Sequence, residues 1–202
     1  MTKLTYPTSR PYRPSQMIWS FKDNARRSGK SSETGTTQWS ERPGAHLRFT
    51  CHWTNQTKKD RLLLWAKLCE LHGHINTFDI PFFPNPVPQL QPFTGTTFLS
   101  VATIQGANAC SVSGFGAGCF FSQGDFITIG TQPVIVHTCA LSGGALQTTF
   151  SPRLRQAWAI STPVTYNWAV GEFRLASATA AIELPFGPDV YTPFSCEFEE
   201  AL

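Results

Sequence analysis

Phe194-Ser195-Cys196-Glu197-Phe198-Glu199, near the end of a 202-residue chain, alternates apolar and polar side chains. That is the two-residue period of a strand with one buried face. Such a segment stays ordered when it pairs with something, and its best partners are the strands and helix near the start. Between the two ends, residues 92–166 read as a self-contained run of short strands. The expected fold is therefore mainly β with one helix. A split, β-sandwich-like outer domain comes from residues 1–87 and 170–202, and a small β-barrel of the oligonucleotide/oligosaccharide-binding (OB) type is inserted over residues 88–169.

Working back from the terminal strand, residues 1–14 carry three prolines and predict an extended arm. Met17-Ile18-Trp19-Ser20-Phe21 begins a strand. The polar, basic loop from Asn24 to Gly35 and its flanks suit a long hairpin with residues 36–40. Over residues 46–54, Leu47, Phe49 and Cys51 alternate with Arg48, Thr50 and His52, as in a half-buried strand. Thr57-Lys58-Lys59-Asp60 has N-cap chemistry and opens a helix over 57–72. Leu62, Trp65 and Cys69 adjoin Leu64, Leu68 and Leu71, predicting a broad apolar arc against a sheet, and Gly73 suits the helix end. Residues 75–83 predict a further strand before a proline-rich connection from Pro81 to Pro92.

Within the insert, strands are expected over 98–104, 109–115, 126–129, 134–140, 146–150 and 164–166, with Ser142-Gly143-Gly144 as a hairpin turn. The chain then returns through 173–186, where Ile182, Leu184 and Phe186 alternate with Glu183 and Pro185.

Charged residues are 14% and aromatics 13%. So few charges imply that apolar surface is hidden against another subunit. The net charge of +3 is unevenly spread: residues 1–74 hold 13 basic and 5 acidic side chains, a balance of +8, whereas residues 75–202 hold 3 and 8, a balance of −5. Opposed halves suit head-to-tail contact between copies. Met1-Thr2-Lys3-Leu4-Thr5-Tyr6-Pro7 lacks the apolar core of a signal peptide, and no window approaches a membrane span. Six cysteines without a CxxC pair suit buried thiols in a protein made in the cytoplasm.

Cys69, His72 and His74, with Cys51-His52 upstream, have the residue types of a zinc site. A buried thiol and two surface imidazoles explain the same letters. Gly114-Phe115-Gly116-Ala117-Gly118 is glycine-rich, but the residues after it read as a strand-linking loop rather than the helix a phosphate cradle needs. Glu172, Glu183 and Asp189 are the acids on which catalysis would rest, and Glu197 and Glu199 suit the solvent face of a strand. Arg153 and Arg155 alone make the insert basic, too little for sequence-specific nucleic-acid binding. Trp158 and Trp168 are the aromatics with which a carbohydrate-binding module would grip glycans; core packing is the competing reading. No catalytic, cofactor-binding or metal-ligating residue is assigned, and no cofactor is expected.

The order and spacing of several segments resemble the distal tail proteins of long-tailed, non-contractile (siphovirus, T5-like) bacteriophages. They are the Trp19/Phe21 strand, the helix with Leu62 to Leu71 before a proline-rich exit, and Gly124-Asp125-Phe126-Ile127-Thr128-Ile129 before Val134-Ile135-Val136. Ser151-Pro152-Arg153-Leu154-Arg155, Phe173-Arg174-Leu175 and Phe198-Glu199-Glu200-Ala201-Leu202 follow. The basic loop from Asn24 to Gly35 has no counterpart in that pattern. The resemblance implies a structural virion protein without catalysis. A homo-oligomeric ring, a hexamer in that family, forms through a "belt" domain and carries an outward barrel. It joins the tail tube protein to hub, baseplate and fibre proteins around a lumen for DNA, with no membrane anchoring. Ring contacts are expected from the 13–54 hairpin region and the strands near 173–202.

Overall fold

The computed structural model describes residues 2–22, 26–27, 39–40, 45–54, 56–71, 75–82, 95–176 and 194–201. Among these, the fold is predominantly β with a single short helix. In chain order the elements are β1 (Lys3–Thr5), β2 (Gln16–Lys22), β3 (Arg26–Arg27), β4 (Trp39–Ser40), β5 (His46–Trp53), α1 (Lys58–Cys69) and β6 (Thr77–Pro81). Then come β7 (Phe98–Leu99), β8 (Ala109–Ser113), β9 (Phe126–Ile129), β10 (Gln132–Ser142), β11 (Ala145–Ser151), β12 (Val164–Thr165), β13 (Val170–Leu175) and β14 (Phe194–Glu200).

The first sheet is open and runs β1-β6-β13-β14-β5-β2, mixing strands from both ends of the sequence. The terminal strand β14 lies between β5 and β13, antiparallel to each, with Phe198 opposite Phe49 and Leu175. Its alternation holds: Phe194 and Phe198 are buried, and Ser195 and Glu197 are exposed. The hairpin expected with residues 36–40 is corrected: β2 pairs with β5, the strand expected to follow it. Among the described residues, 36–40 contribute only the pairing of Arg26 with Ser40 and Arg27 with Trp39 further out on the same excursion. The rest of the Asn24–Gly35 loop, and the returning segment with Ile182, Leu184 and Phe186, lie outside the described residues.

Thr57 caps α1 as its sequence dictates, its Oγ1 accepting from the Asp60 N–H at 3.2 Å and donating to Asp60 Oδ2 at 2.8 Å. The helix ends at Cys69, short of the expected position, and Gly73 is outside the described residues. The expected broad apolar arc is corrected to half its width. Leu64, Leu68 and Leu71 are buried in the first core, but Leu62, Leu63, Trp65 and Cys69 are exposed. A sheet meets a helix along one stripe, and the inward stripe is completed by the aliphatic-stemmed Arg61.

The second sheet runs β12-β9-β10-β11-β8-β7. It nearly closes into an antiparallel barrel, because Phe98 bridges Pro163 and the Val164 N–H donates to the Thr97 carbonyl at 2.9 Å. Ser142 pairs with Ala145, leaving Gly143 and Gly144 as a two-residue loop. Both have positive φ (60° and 78°), the requirement of the turn whose twist matches a hairpin.

Two apolar cores result, and they meet. Phe126 of β9 and Ile135 of β10 pack on the first core rather than their own. The Phe126 ring stacks on Phe82 at a centroid distance of 4.1 Å and lies 5.1 Å from Trp19. Thr128 Oγ1 donates to the Val170 carbonyl at 2.7 Å and accepts from the Val170 N–H at 3.0 Å. Gly171 is needed here for proximity: a Cβ would stand 2.9 Å from Pro133 Cγ and 2.4 Å from Phe173 Cε2. Replacing Phe126 by alanine should remove the ring that joins the two cores. A loss of about 3 kcal/mol in urea unfolding is expected, against less than about 0.5 kcal/mol for the exposed Leu141→Ala.

Candidate functional site

Strand parity sorts the first sheet into two unlike faces. The core face carries Leu47, Phe49, Cys51 and Trp53 of β5, Phe78 and Ile80 of β6, and Phe173 of β13. The other face carries ions. Lys3 Nζ is 3.0 Å from Asp79 and 3.8 Å from Glu172, which are cross-strand partners, and Thr77 Oγ1 donates to Glu172 at 2.5 Å. Farther along, Glu199 sits between Arg48 at 2.8 Å and Arg174 at 3.2 Å, with His46 at 3.8 Å. Glu197 reaches Arg48 at 3.5 Å. These pairs align charges across five neighbouring strands, from β1 to β5 of the sheet order, an arrangement that specifies register more than it adds stability.

Glu199 therefore is no freely solvated residue; only Glu197 matches that expectation. Burial pushes the Glu199 carboxyl up, but the Arg48 hydrogen bond and the charges of Arg174 and Arg48 outweigh it, so the group titrates below its usual range. Glu200 behaves oppositely. It shares the parity of Phe194 and Phe198, so it points into the core, where it is 2% exposed. There it takes the Leu47 N–H at 3.1 Å and forms an ion pair with Arg155, which comes from the loop after β11. Gln132 Oε1 accepts the Arg155 N–H at 2.9 Å, and its Nε2 donates to the Arg153 carbonyl at 3.0 Å, which fixes that loop. Burial dominates at Glu200 and raises its carboxyl above the ordinary range despite Arg155. Parity could have found Glu200 from sequence; no sequence signal marks Arg155 as its partner.

The remaining sequence candidates do not converge. Cys51 is buried in the first core, its thiol pushed well up by burial and then by the neighbouring Cys196. The expectation of a buried thiol at Cys69 is corrected: it is exposed on α1. His72 and His74 lie outside the described residues, and among the described residues no three potential ligands cluster. Residues 114–118 link β8 to β9 without an adjoining helix, and a Cβ on Gly114 would meet the Thr96 carbonyl oxygen at 2.1 Å. Glu172 belongs to the Lys3 cluster, whereas Glu183 and Asp189 lie outside the described residues. Trp158 packs on the barrel core, its ring where a Cβ on Gly130 would stand, 2.4 Å away; Trp168 is exposed. Among the described residues no helix is long and apolar enough to cross a membrane.

Among the described residues two apolar surfaces are exposed. There strand β2 is an edge, paired with β5 alone. Ile18 is 49% exposed and Phe21 45% exposed on that strand. The outer stripe of α1 adds Leu62, Leu63 and Trp65. An edge strand with apolar side chains is a template for a further strand or chain.

The two adjacent glutamates give the protein opposed pH dependences. Glu199, depressed in the folded state, supports stability above the unfolded carboxyl pKa of about 4.3, and that support is lost as pH falls through its folded value. Glu200, raised in the folded state, favours folding most at low pH, and its contribution declines as pH rises from about 4.3 through its folded value. Urea midpoints between pH 3 and 7 should show Glu199→Gln flattening the acid-side loss. At pH 7, Glu200→Gln should cost about 3 kcal/mol by leaving Arg155 without its counter-charge. The double change Arg155→Met, Glu200→Met should cost less than that single one.

No protein-family model matches this chain, and no curated protein matches it in sequence, so its function is read from its own residues.

Proposed function

We propose that this protein is a structural component of a virion. In this reading it forms the distal tail ring that joins a tail tube to hub, baseplate and fibre proteins in a long-tailed, non-contractile phage. The first sheet with α1 acts as the belt domain, copies join edge to edge, and a lumen is left for DNA. The near-closed second sheet is the OB-like barrel projecting outward.

The observation that carries the reading is the unfilled edge of the first sheet. Backbone N–H and C=O groups along the free side of β2 have no strand partner among the described residues, and Ile18 and Phe21 lie exposed beside them. A ring satisfies every such edge with a sister molecule, whereas a lone copy leaves it to aggregate. The basic first part of the chain and the acidic remainder supply attraction between successive copies. Six copies follow from the family resemblance. A carbohydrate-binding role for the barrel has the exposed Trp168 in its favour, held at φ 53° outside the usual backbone range. It has lost Trp158 to packing, and a platform of one ring grips a sugar weakly.

Light scattering on the purified protein, with negative-stain imaging of it and of intact particles, tests assembly. A closed ring is expected, and Ile18→Glu with Phe21→Glu should yield monomers that keep the far-ultraviolet circular dichroism of the unmodified protein. A monomer at every concentration, with no such ring in particles, would sink the proposal.

A further inference from the structure

The register of the terminal strand sets Cys196 of β14 directly opposite Cys51 of β5. The phase of the backbone hydrogen bonds fixes how close the two residues stand. On its other side β14 is bonded to β13 through alternate residues: the Ala176 N–H donates to the Glu197 carbonyl at 3.0 Å, and the Ala201 N–H donates to the Glu172 carbonyl at 2.9 Å. Residues of the other parity, Cys196 among them, therefore turn their backbone groups towards β5. Cys196 and Cys51 thus form a hydrogen-bonded antiparallel pair, and in such a pair the Cα atoms lie about 5.5 Å apart. Disulfides span Cα separations of about 4.4–6.8 Å, most often close to that value. Directly opposite residues also share a face. Here it is the core face, with Cys51 buried in the first core and Cys196 half-buried against it, both as free thiols.

The other cysteines lack this geometry. Cys110 and Cys139 lie on either side of Thr148, each opposite it on its own strand. One whole strand separates them, so their Cα atoms are about 10 Å apart, too far for a bond. Cys119 belongs to the barrel core, and Cys69 is exposed on α1. The thiols of Cys51 and Cys196, by contrast, feel each other: after burial, Cys196 is the group that raises the Cys51 thiol.

We infer that Cys51 and Cys196 are a disulfide-forming pair that locks the terminal strand onto β5 when the protein meets a low-molecular-weight disulfide oxidant such as oxidised glutathione. The half-buried Cys196 loses its proton and attacks one sulfur of the oxidant, which leaves a mixed disulfide and releases one thiol. Cys51 then loses its proton and attacks the Cys196 sulfur, expelling the second thiol. The chain gives up two protons and two electrons, and the oxidant takes them up as two thiols. The bond closes a loop containing most of the chain, a constraint that falls mainly on the unfolded state. Only thiolates react. Burial pushes the Cys196 thiol up to about 12, so the reaction in the folded protein is slow and accelerates with pH. The inference is independent of ring assembly, since both cysteines lie within one copy.

Two measurements on the full chain test it. In the first, the reduced protein is refolded from urea in a mixture of reduced and oxidised glutathione, where burial does not limit access. Mass spectrometry of unreduced peptides should find Cys51 joined to Cys196 as the predominant intrachain bond. In the second, the folded protein is held in about 10 mM oxidised glutathione. The same bond should form at a rate that rises about tenfold per pH unit between about pH 7 and 9, while the exposed Cys69 takes up glutathione at least about tenfold faster. The urea midpoint of the bonded chain should lie above that of the reduced chain and return to it on reduction. Cys196→Ser should abolish both the bond and the shift, and Cys110→Ser should keep both. Scrambled bonds on refolding, no bond in the folded protein after about a day, or a bonded chain with no higher midpoint would each overturn the assignment.

Discussion

The pairing of β14 between β5 and β13 is the constraint on which the rest of this molecule depends. It brings Phe198 against Phe49 in a stacked pair with centroids 5.1 Å apart, and Phe49 edge-on to Phe173 at 4.7 Å. These three rings come from three distant parts of the chain, and all are fully buried. Closing so long a loop is costly in chain entropy, though the cost grows only slowly with length. The aromatic cluster is the term that offsets it. Without β14, β5 and β13 have no common neighbour, and the sheet falls into two separate fragments, β1-β6-β13 and β5-β2.

At its end the same strand keeps alternating but carries an acid on each face. Glu199 and Glu200 are adjacent, yet strand parity sends one to a face furnished with two arginines and the other into the core. The first gains enough positive charge to outweigh its loss of water, and the second does not. The buried pair Arg155–Glu200 joins a barrel loop to the sheet, beside the apolar contact of Phe126 with Phe82. One junction thus combines a non-directional contact with one that tolerates little displacement, which orients the barrel as well as attaching it.

Edge, helix stripe and a cavity beside the arm all belong to the first sheet and its arm rather than to the barrel. The apolar residues of β2 and α1 have the chemistry of surfaces that another chain covers, whereas the cavity beside the arm is lined by polar and charged side chains. They differ because, among the described residues, β2 offers unfilled backbone groups in a row, whereas the Ser9, Pro11 and Tyr12 carbonyls of the arm's turn already accept hydrogen bonds.

Local sequence alone determined much of the barrel and the helix start. Strands near 126–129, 132–142 and 145–151, the Gly143-Gly144 turn and the Thr57–Asp60 cap were legible because period, turn chemistry and capping act between residues a few positions apart. The alternation of 194–199 also foretold a half-buried strand, and its parity, carried one residue further, places Glu200 inside. Tertiary structure alone decided which stripe of α1 is covered, since Leu62, Trp65 and Cys69 are as apolar as their buried neighbours and only the position of the sheet tells them apart. It likewise decided that Arg155 meets Glu200, that Phe126 leaves its own core for the other, and that Gln56 and two arginines of the arm share one cavity. Those outcomes depend on register and docking between segments far apart in the chain, and no local period encodes such distances.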